Sequence, residues 1–455
     1  MFEKQKKAIK HIQNMASDTE AMHSEIESEI AKLKADVQNA EGYEETVNSE
    51  EYHQALENRK NEPEVYTPLE HKTFDEIFRE ADENIHHRVG INDILTPEDI
   101  EEMNRRINSH IEEFNREYSL DLWDYAIAGS CGLLAAMLDI LCVKAPLNPT
   151  TKFDVPSDGV FNRVVQDAFN KIIPPDLSHK LSESFKIGSA DTSVKTRLKK
   201  FLGKLTPRNH RLKELSHDPV LGFIFGALDI IRNTCTIVEG GKIKAYDSVV
   251  PNNFEGNIFH AMGQMLGHLV SDINAPSPKG NRGMGLPAPF MGLLSMLRNV
   301  KINGESVGDT VEYMYLKGYD ARQFVATSIP CAIMEILLRV CWCIKRTNEN
   351  KALWPSIKET APLNIHKKFR IIIALSYGVL CSVNAGKVYI TDNILNLNYA
   401  AWMGLVWNGF HALKWALFDK HFELWDTFER KELMRLNDTI SKLDELEHDV
   451  ERLPV

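Results

Sequence analysis

The composition changes abruptly at Leu120-Asp121-Leu122-Trp123, and this change constrains the fold more than any motif does. Residues 1–120 carry a net charge of about −15, residues 121–420 about +9 and residues 421–455 about −5. The whole-chain charge of −11 conceals this division into two acidic ends around a basic, apolar middle. As a sum it disfavours a general nucleic-acid binder. With 43% hydrophobic and 26% charged residues over 455 positions, the average is that of a soluble globular chain. That average excludes a disordered protein, a collagen and a polytopic membrane protein, and the length suits two or three domains.

The boundaries follow the charge: an acidic helical arm over 1–120, an apolar core over 121–420 and an acidic C-terminal helix over 421–455. In the first arm Met22, Ile26, Ile30, Leu33 and Val37 form a short near-heptad seam. Thr96-Pro97-Glu98-Asp99 opens a further helix, with a capping threonine, proline in the first turn and acids at the positive end of the dipole. Met103, Ile107, Ile111 and Phe114 then line one face. At the other end Leu433, Leu436, Ile440, Leu443, Leu446, Val450 and Leu453 repeat at helical spacing. The expectation is a homo-oligomer assembled through these coiled-coil-like arms, or an arm folding back on its own chain.

Between the arms, periodicity predicts helices at 122–143, 158–172, 194–204, 218–234, 254–273, 287–299, 307–316, 320–347, 365–383 and 398–418. Strand signals are short: Thr236–Lys244 turning on Gly240-Gly241, Val300–Gly304, and Gly386–Ile390. The class is mainly α, a central bundle of apolar helices with a few short β-hairpins. Three stretches approach membrane-span character, at 125–147, 219–231 and 371–383. They are interrupted or shorter than the roughly 20 residues a span needs, and read as buried core helices, with peripheral membrane contact left open.

Met1-Phe2-Glu3-Lys4-Gln5-Lys6-Lys7 is followed by no apolar core, so no signal peptide is expected. Seven cysteines in apolar surroundings, without a regular framework, read as reduced thiols of a cytoplasmic protein, peripheral at the inner face of the membrane if it meets one.

The richest polar pattern lies on the predicted helix 254–273. His268 and Asp272 are four apart and share a face; Gln264 and His260 lie on earlier turns of roughly the same side. Imidazole and carboxylate on adjacent turns of an apolar helix suit a divalent metal such as zinc, or a hydrogen-bonded core pair. Ser216-His217-Asp218-Pro219 opens another apolar helix: capping explains Ser216 and Asp218 but not His217, a candidate ligand or general acid/base. Asp139, late in a glycine- and alanine-rich helix, needs water, a cation, a metal or a buried histidine as partner. Lys279 and Arg282, in a loop with Gly280, Gly283 and Gly285, are candidate phosphate contacts. Lys195, Arg197, Lys199, Lys200, Lys204, Arg208 and Arg211 make a basic surface suited to an anionic membrane, a nucleic-acid backbone, an acidic partner or a solvated face. Ser271, three residues after His268, has no further support as a nucleophile.

In order, Met137-Leu138-Asp139-Ile140, Ser216-His217-Asp218-Pro219-Val-Leu-Gly222, and Gly267-His268-Leu-Val-Ser-Asp272 followed by Pro278-x-Gly280 and Pro289-Phe290 resemble a known pattern. It is that of the membrane-associated metal-dependent hydrolases, distantly similar to zinc-dependent phospholipase C. The resemblance covers about 122–295. It implies Asp139, His217, His268 and Asp272 as metal ligands, His217 and His268 also acting in catalysis, His260 and Gln264 as outer neighbours, and a phosphoester substrate such as a phospholipid head group. The chain departs from the pattern at Leu138 and Leu141, where proline and aspartate stand, and keeps one histidine of a two-histidine element, His210 lying too far upstream. The alternative is a non-enzymatic membrane-active or scaffolding protein, such as a bacterial defence effector.

Overall fold

The computed structural model describes a few positions before residue 73, and then residues 73–90, 93–146, 159–185, 208–248, 254–273, 285–302, 304–349, 352–362 and 365–451. The chain forms two compact units, Met1–Phe114 and Asn115–Val455. The N-terminal seam from Met22 to Val37 lies outside the described residues.

In the first unit, α1 (Phe74–Asn84) begins with a capping box between Thr73 and Glu76. Helix α2 (Pro97–Tyr118) begins as its sequence predicts: Thr96 and Asp99 exchange hydrogen bonds across the first turn, the threonine hydroxyl accepting from the Asp99 backbone and the Asp99 carboxylate from the Thr96 backbone.

The second unit is mainly α. Its larger half is a four-helix bundle of α3 (Leu122–Cys142), α11 (Ala321–Asn348), α13 (Lys367–Thr391) and α14 (Tyr399–Lys414). Helix α3 packs on α11 and α13, and α14 closes the ring against the same two. Small residues of α3 (Ala128, Cys131, Ala135 and Ala136) meet Met334, Leu338, Trp342, Phe369 and Leu380 in the core. Gly132 permits the closest approach: a Cβ there would stand 2.6 Å from the Ser376 carbonyl oxygen. After α14 the helix continues through a π-helical turn, Trp415–Asp419, into the long α15 (Lys420–Glu451). On α15, Leu433, Leu436 and Ile440 are exposed.

The smaller half carries the polar residues singled out above. It contains α4 (Val160–Ile172), α5 (Pro175–Ser184), the single turn α6 (His210–Lys213), a 3-10 turn (Leu215–His217), α7 (Gly222–Arg232) and α8 (Ile258–Ile273). Helices α7 and α8 pack through Ala227, Ile230, Ala261, Met265 and Leu269. The hairpin β1 (Thr234–Glu239) and β2 (Lys242–Asp247) turns on Gly240 and Gly241, both with positive φ, as the glycine pair predicts. Asp229 pins it to α7, accepting hydrogen bonds from both threonine hydroxyls, Thr234 and Thr236, and from the Thr236 backbone. The remaining elements are α9 (Met291–Leu294), the short hairpin β3 (Lys301–Ile302) and β4 (Glu305–Ser306), α10 (Val307–Leu316) and α12 (Leu353–Lys358). Tyr315, Tyr319 and Tyr399 join the two halves in one apolar cluster with Leu212 and Met291.

Three local expectations are corrected. Gly386–Ile390 is helical, because the apolar period of α13 runs through it to Asp392, which ends the helix with φ 45°. The segment 287–299 holds one helical turn, started by Phe290 at φ 62°. Helix α7 starts at Gly222 rather than 218, since Asp218 spends one carboxylate oxygen on the Val220 and Leu221 amides and the other on the Phe290 amide. All seven cysteines are free thiols.

Candidate metal centre

The glycines of α7 and α8 set the positions of the polar groups. At Gly222 a Cβ would lie 2.4 Å from the Ser216 carbonyl oxygen, and at Gly226 it would collide with Met265. Hydrogen alone therefore lets the 3-10 turn and α8 close on α7, and this brings His217 onto the polar face of α8. At Gly267 a Cβ would meet the Phe185 ring at 2.5 Å, so the end of α5 seats directly over His268. Ser178 on α5 adds a hydrogen bond of 2.7 Å to the Ser271 carbonyl.

His217, His268 and Asp272 are buried and converge, each offering one ligand atom within 4.8 Å of the other two. His217 Nε2 lies 3.3 Å from His268 Nε2 and 3.3 Å from Asp272 Oδ2; His268 Nε2 lies 3.6 Å from the same oxygen. Zinc–ligand bonds of about 2.0–2.2 Å in a tetrahedron place neighbouring donors about 3.3–3.6 Å apart. The triangle thus has the size of one tetrahedral face, and its residue types are those zinc takes. The group could hold a metal ion.

Each donor also has an outer polar neighbour. Glu214 Oε2 stands 3.2 Å from His217 Nδ1. The approach is off-axis, so this buried oxygen has no well-aligned hydrogen bond and acts as a nearby charge. His268 makes a hydrogen bond with the Phe185 backbone. Arg211 engages both oxygens of Asp272. His210 stands edge-on to His217, ring centroids 5.6 Å apart.

The charges follow from these neighbours. Burial opposes a proton on His217, but hydrogen bonding to Asp272 and the proximity of Glu214 outweigh it and push its pKa up to about 9. His268 goes the other way: burial, helped by the adjacent His217 and Arg211, lowers it to about 4 despite Asp272. Burial works against the Asp272 carboxylate, yet Arg211, His268 and His217 hold it well below the usual range. Burial raises Glu214. The result is one imidazolium, one neutral imidazole and one carboxylate around a common point.

Asp139 does not join them. Its oxygens accept from Lys387 Nζ at 3.0 Å, Asn384 at 3.1 Å and Asn398 at 2.8 Å, where the ends of α3 and α13 meet the start of α14. A buried carboxylate there is satisfied by a lysine and two amides, so the four-ligand expectation reduces to three. Arg211 is a second correction: it is paired with Asp272 beside the candidate centre and does not belong to a basic surface. Arg208 is exposed. His260 is exposed, its backbone amide donating to Asn257, and Gln264 is half-buried one turn before His268. Ser271 donates its hydroxyl to the His268 carbonyl, a helix-internal bond. Lys279, Arg282, Lys195, Arg197, Lys199, Lys200 and Lys204 lie outside the described residues.

Sequence reasoning missed Glu214 and treated His210 as too distant. One signal was available: Arg211, Glu214 and His217 recur every three positions and His210 lies four before Glu214, a spacing that brings side chains to one side of a helical segment. No family model, curated protein or solved structure matches the chain.

Proposed function

We propose that His217, His268 and Asp272 bind a divalent cation, zinc in preference to others, and that the centre hydrolyses a phosphoester. The observation that carries this reading is the donor triangle with edges of 3.3, 3.3 and 3.6 Å. A bound zinc supplies an activated water and polarises a phosphoryl oxygen. The chain's own part is positional and electrostatic. Arg211 fixes the Asp272 carboxylate so that Oδ2 faces both imidazoles, and Glu214 stands beside His217 Nδ1. His268 is already neutral and ready to donate its lone pair, whereas His217 must first release a proton. The resemblance of residues 122–295 to membrane-associated metal-dependent hydrolases implies these three residues together with Asp139, whose carboxylate is instead taken by Lys387, Asn384 and Asn398.

The test is elemental analysis of the purified full-length chain, with hydrolysis of a phosphodiester such as bis(4-nitrophenyl) phosphate as the activity readout. Stoichiometric zinc that disappears in H268A, together with chelator-sensitive hydrolysis, supports the proposal. A second reading is a metal-free ion-pair network, favoured by the two-point contact of Arg211 with Asp272. Metal-free protein that neither gains stability from added zinc nor responds to chelator would establish that reading instead.

A further inference from the structure

The four-helix bundle has its hydrophobic residues in an arrangement that water does not favour. On α3 the inward face is small: Ala128, Cys131, Gly132, Ala135 and Ala136 are buried. The large residues Leu133, Leu134, Met137, Ile140 and Leu141 of the same helix are exposed. In water the larger side chains gain most from burial and turn inward. In lipid nothing drives them inward, and small residues line the helix contacts so that backbones approach closely. Two other helices also expose large apolar residues, although α11 buries Met334, Leu338 and Trp342 on its inner face. Ile336, Val340 and Ile344 form an exposed stripe on α11, and Val406, Trp407, Phe410 and Leu413 form one on α14.

Three helical stretches are long and apolar enough to cross a membrane: Pro97–Cys142, whose apolar part is α3, and the helices Ala321–Asn348 and Lys367–Thr391. Only 33%, 33% and 39% of their apolar windows are buried inside the protein. The expectation that 125–147 and 371–383 are buried core helices therefore holds for one face of each and fails for the rest.

Charges mark the two ends of the bundle. At one end Asp124 pairs with Lys345 at 2.6 Å and Lys368 at 2.9 Å; at the other Asp139 pairs with Lys387 at 3.0 Å. Lys368 and Lys387 lie on one helix, about 29 Å apart at 1.5 Å per residue. A bilayer's hydrocarbon core is about 30 Å thick. Between these ends α3 carries no charged residue. The pair that α11 carries, Glu335 and Arg339, is closed on itself at 2.8 Å, with the Tyr377 hydroxyl on Glu335. Exposed Trp123 stands at the Asp124 end and exposed Tyr389 at the Lys387 end, where the two interfaces of a membrane would place such rings.

We propose that the bundle of α3, α11, α13 and α14 is embedded in a lipid bilayer, with the paired lysines at its two interfaces. A second copy is a poorer occupant, because α3, α11 and α14 present their apolar faces on different sides of the ring and a two-fold contact covers one. The inference is independent of the metal centre, which lies on other helices.

The experiment is cell-free synthesis of the full chain with phosphatidylethanolamine/phosphatidylglycerol vesicles, followed by flotation and an alkaline carbonate wash. Most of the protein is expected to float and to stay with the vesicles through the wash. The double variant L134K/M137K, which places two charges on the outward face of α3, is expected to lose most of that fraction. Protein that remains soluble and monodisperse without detergent, as a lone chain or a closed oligomer, overturns the proposal. So does protein that floats but is released by carbonate, or a double variant that behaves like the parent. Zinc content measured on the same material reports on the metal centre separately.

Discussion

Arg211 holds Asp272 side-on, with Nε 3.1 Å from Oδ2 and Nη2 2.9 Å from Oδ1. The ion pair is nearly buried, with side-chain exposures of 18% and 9%. Such a pair does more to orient than to stabilise, because removing both charges from water offsets much of their attraction. Breaking it on one side is costly. In D272N the guanidinium keeps its burial and loses its counter-charge, so a loss of about 3–5 kcal/mol is expected. The exchange also removes a charged ligand. H268A should lose the metal with a smaller loss of fold stability, because removing a neutral imidazole leaves the Arg211–Asp272 pair intact. Thermal unfolding and metal content measured on both variants separate the effects; equal destabilisation would count against the orienting role of Arg211.

Metal binding should release a proton from His217. With its pKa raised to about 9, the imidazole is protonated at neutral pH, and a metal must displace that proton. Affinity should climb about tenfold per pH unit from neutrality and level off near the raised pKa. His268, lowered to about 4, releases none in this range. Calorimetry in two buffers of different ionisation enthalpy reads the proton directly; a heat that does not depend on buffer would refute the protonated His217.

The same group makes the metal-free protein sensitive to alkali. Because the folded pKa of His217 lies above its ordinary value of 6.5, its stabilising contribution is complete below about 6.5 and is lost as pH rises through about 9. Asp272, lowered, contributes above the usual carboxylate range and loses that contribution in acid. Melting temperature of the metal-free chain should therefore fall between neutral pH and pH about 10. In H217Q that alkaline slope should be reduced.

Gly222→Ala should loosen the centre without touching a ligand. Its new methyl group would stand 2.4 Å from the Ser216 carbonyl oxygen, a backbone atom one residue before His217. Relief requires the 3-10 turn to move. A destabilisation of about 1–3 kcal/mol is expected, typical of an overpacked contact, with weaker metal binding alongside. Unchanged metal affinity would show that His217 is positioned by something other than this turn.

Asp139 provides the contrast. D139N keeps an acceptor for only one of the Asn384 and Asn398 amides, turns its own amide donor toward the other, and leaves Lys387 without its carboxylate. Its metal content should equal that of the parent protein, while stability drops by about 3–5 kcal/mol, as for other broken buried pairs. Loss of metal in D139N would return Asp139 to the ligand set.

The helical character of the second unit was legible because apolar period and capping chemistry are local. Asp121 and Asp124 close a capping box at the start of α3, and Gly240-Gly241 supplies the two positive-φ positions a tight hairpin needs. His268 and Asp272 were also legible as neighbours, since one helix turn separates them. Gly386–Ile390 misled because valine, tyrosine and isoleucine suit a strand when read alone, while the helix that contains them extends from Lys367.

By itself, the sequence determined that the protein is mainly α, where most helices of the second unit lie, and which helix would carry the polar stripe. Partners distant in the chain were decided by tertiary structure alone. Asp139 and the His217 group present the same chemistry on paper, a buried polar side chain in need of a partner. Packing gives the first Lys387, 248 residues away, and brings His217 to His268 across 51 residues. The averaged composition also hid the bundle, because two acidic arms dilute helices whose large apolar faces point outward. Which face of a helix is covered depends on its neighbours, and no local pattern encodes them.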